Sequence, residues 1–543
     1  MKRIVFSVFL FVVVSIAYHL MKQDDAMVEQ IEVSRVEPKA VGKSEVESEA
    51  LSDLRDEILA LAEEFEEDVG EALPEGVIED ELVLRFPTEA SLQAFLDRAK
   101  TAGLEVLGSD RRMKAARVRL SASMDAARVG ELGGENAELD FNYEVVVPEV
   151  PRAYLEGIGN VGFDQYALEW LGVPRDNQSW GEGVKVAILD GGVTSHEVLD
   201  GGRISSYDLV DGGGLNGHGT AVASIIGGGN GVGIAPAAEL ISVRVLDADG
   251  KGDSFTLAQG IVQAVESGAQ VISMSLGSFG YSSVLEEAVA YADSRGVLMV
   301  ASAGNDGQSS VTYPARFESV IGVASVDANA QHSAFSNFGD GVNIAAPGVG
   351  VVAAWENEEW VSFSGTSASV PFVAGAVAGL MSEESMRDPR DAYDLLLDYV
   401  NDTGAPGQDA RTGAGVLNLG RVLERNEMGI LDVAVADVFL DVDNAIDGRV
   451  PVILSVQNRG TSFVNSIELQ FTLGERLPQE IQLGALSSGE VASFVTEVSE
   501  EQLFIEGGLE FFAKSVVGGG SVDSKTSNDE RAGSFWLVLP EDP

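Results

Sequence analysis

Val186-Ala187-Ile188-Leu189-Asp190-Gly191 is a short apolar run that stops on a carboxylate and a glycine. It does not alternate and is too short for a stable helix. That pattern belongs to a strand buried on both faces. The run belongs to a strand over 184–189, and similar apolar runs recur at 240–246, 271–276, 297–303, 320–326 and 342–346. Helical stretches are predicted at 219–227, 255–267, 283–295 and 368–384. Such alternation predicts an α/β domain whose parallel sheet is covered on both sides. Chemistry in these sheets lies beyond the carboxyl ends of the strands. Asp190 stands at one of those ends.

Two further runs supply what a carboxylate at that place would need. Asn216-Gly217-His218-Gly219-Thr220 opens a small-residue helix, and its glycines let another segment approach the imidazole. Ser364-Gly365-Thr366-Ser367-Ala368-Ser369 precedes an apolar helix, so Ser367 falls where the helix dipole and free N–H groups favour developing negative charge. A serine hydroxyl is a weak nucleophile. An imidazole must take its proton, and a carboxylate must hold that imidazole in the right tautomer. Asn305 follows the apolar run ending at Ala303 and offers an amide donor to an oxyanion. Each residue alone has a plainer explanation: a strand-end carboxylate, a filler histidine, an N-cap serine that Ser364 or Ser369 could replace, a turn asparagine. Their order and their joint placement at strand and helix ends do not.

On these motifs the chain resembles the subtilisin-like (subtilase) serine peptidases. Gly233-Ile234-Ala235-Pro236, Ser273-Met274-Ser275-Leu276-Gly277, Tyr313-Pro314-Ala315 and Ala346-Pro347-Gly348 extend the likeness over about 160–425. The resemblance implies a catalytic set of Asp190, His218, Ser367 and Asn305. It also implies two substrate-binding rims, Ser275, Leu276 and Gly277 on one side and Ser302, Ala303 and Gly304 on the other. The chain departs from the family pattern at Gly191, Ala221, Ser224 and Ala368, none of which carries a catalytic atom. The loop from Gly227 to Gly233 is shorter than in calcium-binding subtilisins. The resemblance therefore implies no cofactor for the chemistry, with structural calcium as an open expectation and the metal ligands unknown.

The flanks change character. Residues 1–23 begin with Lys2 and Arg3 and continue as an apolar run, which is an export signal. Its length suits either a cleaved signal peptide or an uncleaved signal anchor. Residues 24–80 form an acidic linker in which Leu54, Ile58, Leu61, Phe65 and Val69 recur at helical spacing. Residues 81–150 read as β-α-β-β-α-β, a ferredoxin-like α+β order. By resemblance this is an inhibitor-type propeptide, cleaved somewhere in 143–160. The peptidase-like domain is expected over 160–428. Residues 430–540 alternate apolar and polar positions between Asn-, Gly- and Ser-rich turns, predicting a β-sandwich similar to CARDB or immunoglobulin-like modules.

Composition narrows the classes. There is no cysteine, so thiolate chemistry and disulfides are excluded. A net charge of −51 without a basic stripe disfavours nucleic acid. The expected partners are protein or peptide substrates and the chain's own propeptide, with a membrane touched only by an uncleaved N-terminus. The expected product is an exported endopeptidase, secreted or held at the cell envelope, made as an autoprocessed zymogen. The competing expectation is a silent or secondary peptidase that acts mainly as a surface adhesion protein through 430–540.

Overall fold

The computed structural model describes residues 73–150, 160–199, 201–210, 212–383, 386–503 and 508–535. The expected export segment, the acidic stretch to residue 72 and residues 151–159 of the expected cleavage window lie outside the described residues.

The N-terminal unit runs β1 (Val77–Arg85), α1 (Glu89–Ala102), β2 (Glu105–Asp110), β3 (Ala115–Arg119), α2 (Ala126–Gly133) and β4 (Glu138–Val146). Its antiparallel sheet has the order β2-β3-β1-β4. The period of two along β1 sorts its side chains. Leu82 and Leu84 pack beneath α1 and α2 with Phe95 and Val129. Val83 points the other way, into the core of the central domain.

The central domain is built on β5 (Lys185–Asp190), β6 (Ile204–Asp208), α3 (His218–Gly227), β7 (Glu239–Arg244), β8 (Lys251–Asp253), α4 (Ser254–Glu266), β9 (Val271–Met274), α5 (Ser283–Ser294), β10 (Leu298–Ser302), β11 (Val320–Val326) and β12 (Val342–Pro347). It continues through the hairpin β13 (Val351–Ala354) and β14 (Trp360–Phe363), then α6 (Thr366–Leu380), α7 (Pro389–Asp398) and α8 (Leu419–Glu424). Seven parallel strands align in the order β12-β11-β10-β9-β5-β7-β6. Both faces are covered, which is why β5 reads as uniformly apolar. Val186 and Ile188 pack with α3 and α6, while Ala187 and Leu189 pack with α4 and α5. The edge strand β6 was not legible in the sequence, because its residues Ser205 to Asp208 are exposed and carry no apolar run.

The C-terminal region is a β-sandwich. One sheet is β15 (Val433–Leu440), β16 (Arg449–Asn458) and β19 (Val491–Ser499). The other is β18 (Gln479–Leu483), β17 (Ile467–Leu473), β20 (Leu509–Val517) and β21 (Glu530–Phe535). Val452, Leu454 and Val456 meet Leu469, Phe471 and Ala513 between them. Polar contacts join the sandwich to the central domain: Asp437 Oδ2 accepts from Thr403 Oγ1 and Gly404 N, and Arg421 Nε donates to Arg459 O.

Candidate active site

The strand order sets the site. β10, β9 and β5 are neighbours, so Asn305, Ser275 and Asp190 emerge side by side at the carboxyl edge of the sheet. Asp190 is fully buried, and Gly191 N donates to its Oδ1 at 2.7 Å. His218 is the first residue of α3. Its Nδ1 lies 2.8 Å from Asp190 Oδ2 and 3.0 Å from Oδ1. Donation from Nδ1–H to the carboxylate leaves Nε2 as the basic nitrogen. The close approach needs a bare neighbour: a Cβ on Gly219 would fall 2.3 Å from Gly192 O. Phe363 meets the imidazole edge to face, with ring centroids 5.2 Å apart.

Ser367 is the second residue of α6, buried at 1 % exposure. Pro371, four residues on, has no N–H to give to the Ser367 carbonyl. Ser275 Oγ donates to that carbonyl instead, at 2.9 Å, tying the helix start to the β9 exit. The neighbouring serines are committed elsewhere: Ser364 Oγ accepts from Gly350 N, and Ser369 Oγ donates to Ala346 O. Ser367 Oγ faces Ser275 O at 3.4 Å, and His218 Nε2 has no hydrogen-bond partner among the described residues. The Asp190–His218 pair is thus formed, while the Ser367 hydroxyl is turned toward the rim.

Asn305 is held by α6. Its Oδ1 accepts from both Thr366 N and Thr366 Oγ1, at 2.9 Å each, so Nδ2 must face outward. Gly365 allows this, since its φ of +126° and a Cβ contact of 2.8 Å to Asn305 Nδ2 leave no room for a side chain. Asn305 Nδ2 donates to the carbonyl oxygen of Pro148 at 2.6 Å. The chain after β4 therefore lies in the cleft.

That segment arrives as an added strand. Val146 exchanges two backbone hydrogen bonds with Gly277, both 2.9 Å. On its other side, Glu144, Val145 and Val146 pair antiparallel with Asp253, Gly252 and Lys251 of β8. Val147 N donates to Gly250 O at 3.0 Å. Gly277 thus pairs with the segment on one side. On the other side the segment pairs with Gly250 to Asp253. The Ala303 backbone is paired within the domain: its N donates to Val323 O and its carbonyl accepts from Thr312 N. Ser302 Oγ donates to Leu276 O, and Gly304 packs on Asn337. The β8 rim carries no apolar signal, and its only sequence cue is the turn Asp247-Ala248-Asp249-Gly250 before it.

The N-terminal unit is also joined to α4 and α5 by charge. Arg85 pairs with Glu287 at 2.9 Å, Arg112 with Glu266 at 2.9 Å, and Arg117 with Asp253. Asp140 Oδ2 accepts from Ser283 N at 2.7 Å, at the start of α5. Among the described residues, no three His, Asp or Glu side chains are grouped so as to hold a metal ion. Also among them, no helix is long and apolar enough to cross a membrane.

Comparison with known proteins gives a consistent result. The model of the subtilase family matches residues 181–415. The thermostable alkaline protease of Halalkalibacterium halodurans is 40% identical over 252 residues, covering 45% of this chain and 69% of that protein. Subtilisin BL of Lederbergia lenta is 44% identical over 204 residues, covering 36% of this chain and 76% of that protein. The solved structure of the epidermin leader peptide processing serine protease from Staphylococcus aureus aligns with a TM-score of 0.54 at 22% identity. It covers 63% of this chain and 98% of that one, a likeness of fold.

Proposed function

This chain belongs to the subtilase family and is a subtilisin-like serine endopeptidase, and from that premise we propose that Ser367, His218, Asp190 and Asn305 are its catalytic residues. Ser367 Oγ attacks the scissile carbonyl carbon while its proton passes to His218 Nε2. The carbonyl electrons move onto oxygen, where Asn305 Nδ2 and the Ser367 N–H stabilise them. Collapse breaks the C–N bond, and His218 returns the proton to the leaving amine. Water, deprotonated by His218, then attacks the acyl carbon; the bond from that carbon to Ser367 Oγ breaks, and His218 returns the proton to Oγ. Asp190 keeps Nδ1–H in place and offsets the imidazolium charge. No cofactor takes part in these steps.

The observation that carries this reading is the Asn305 Nδ2 contact to the Pro148 carbonyl. An outward-facing amide, fixed by Thr366 at the start of α6, already holds a backbone carbonyl of an extended segment. The same contact supports reading 81–150 as a propeptide that folds against α4 and α5 and lays its tail along the cleft. The chain would then be made as a zymogen and processed by its own Ser367 within 143–160. Export through residues 1–23 fits this role, since the relatives include a minor extracellular protease of Bacillus subtilis. The substrates are proteins or peptides bound as an added strand. Any structural calcium and an adhesive role of the 430–540 sandwich would be additions to this activity.

The test is casein turnover by purified wild type beside Ser367→Ala. Turnover by the wild type alone is expected. Equal turnover by both would remove Ser367 from the mechanism.

A further inference from the structure

The segment in the cleft is held further from the reacting position than catalysis requires. Counting back from Pro148, whose carbonyl Asn305 holds, the sixth residue is Tyr143. Its backbone N–H is held by Ser254 Oγ at 3.2 Å, continuing the β8 pairing of Glu144 to Val146. Tyr143 is 7 % exposed, and its ring lies directly on Gly280. A Cβ built on Gly280 would fall 1.8 Å from Tyr143 Cδ1, and the three nearest atoms it would meet all belong to that ring. Gly280 does not have a left-handed backbone, so its conformation does not demand glycine. What the missing side chain provides is floor space for a ring.

The surroundings suit an aromatic occupant. Tyr281 follows Gly280 and meets Tyr313 edge-on at 5.8 Å, and Tyr313 in turn packs against Phe317 at 4.8 Å. Tyr281 remains 44 % exposed even with the N-terminal unit in place. Departure of that unit would leave an apolar, ring-lined floor at the far end of the cleft. An aromatic ring there would gain burial on the surface that Gly280 leaves bare.

We infer that Gly280 is the floor of a subsite that takes an aromatic side chain at the sixth residue before the cleaved bond. This rests on the catalytic reading above and extends it to the substrate. The enzyme then favours extended segments that place a ring six positions upstream, beyond the residues paired by Gly277 and β8.

The test uses processed enzyme and two internally quenched peptides, identical except for Tyr or Ala at that position. Cleavage at the same bond is verified by mass. The Tyr peptide is expected to have about tenfold higher kcat/KM, carried mainly by KM. In Gly280→Ala the ratio between the two peptides is expected to fall toward one. Should that variant fail to mature, the wild-type comparison still decides. Equal kcat/KM for both peptides, with turnover abolished in Ser367→Ala, overturns the subsite and leaves the peptidase reading intact. Cleavage of neither peptide, with casein also untouched, overturns both.

Discussion

Asn305 reaches across the cleft to Pro148: its Nδ2 lies 2.6 Å from the Pro148 carbonyl oxygen while its Oδ1 is fixed by Thr366. An amide pre-aimed in this way can stabilise developing charge without reorganising. Removal of the oxyanion-hole asparagine of subtilisin costs roughly 10²–10³ in kcat, and Asn305→Ala is expected to lose a comparable amount. KM for a short peptide should change little. A kcat within a fewfold of wild type would show that Asn305 does not face the reacting carbonyl.

Asp190 governs the tautomer of His218 through contacts of 2.8 and 3.0 Å to Nδ1. Asp190→Asn keeps the shape but offers an N–H to a nitrogen that must itself donate. We expect kcat to fall by roughly 10⁴ at neutral pH, measured by initial rates on a chromogenic peptide. Near-normal rates would detach Asp190 from the catalytic set.

The cleft-bound segment at 146–148 predicts the fate of the precursor. Ser367→Ala, expressed without other peptidases, should keep residues 81–150 covalently attached, as read by intact mass. Mature-length protein from that variant would assign the processing to another enzyme.

The junction between the central domain and the sandwich contains a carboxyl at odds with its surroundings. Asp402 is 4 % exposed; Gly407 N donates to its Oδ2, and its Oδ1 has no partner among the described residues. Burial pushes this carboxyl up to about 6, with Asp409 and Asp437 adding to the rise and Gly407 N–H and Arg459 opposing it. The folded state therefore keeps the proton longer than the unfolded chain. The stabilising contribution is complete below about pH 4 and is lost as pH rises through about 6. Asp402→Asn should raise unfolding stability at pH 8 by about 2–3 kcal/mol relative to its effect at pH 4. A substitution effect that is the same at both pH values in urea unfolding would contradict this.

Much of this was legible in the sequence because burial writes a pattern. β5, β9, β10, β11 and β12 are apolar on both faces and were located within a few residues, and α3 and α6 follow glycine signals at Gly217 and Gly365. What stayed hidden depends on pairing rather than on burial. β6 is an exposed edge, and β8 is three residues long with Lys251 and Asp253 in it. Its role appears only when Val146 lies between it and Gly277. Gly280 also carried no signal, because the space it leaves belongs to Tyr143, 137 positions earlier in the chain.

Ser367 is proposed as the nucleophile, activated by His218. The most direct measurement is labelling of the processed enzyme with an alkyl fluorophosphonate, followed by peptide mapping. One adduct is expected, on the peptide containing Ser367, formed in step with loss of activity; with residues 81–150 removed by an added peptidase, it is expected to be absent in Ser367→Ala and strongly slowed in His218→Ala. An adduct on a different residue, or full activity after stoichiometric labelling of Ser367, would contradict it.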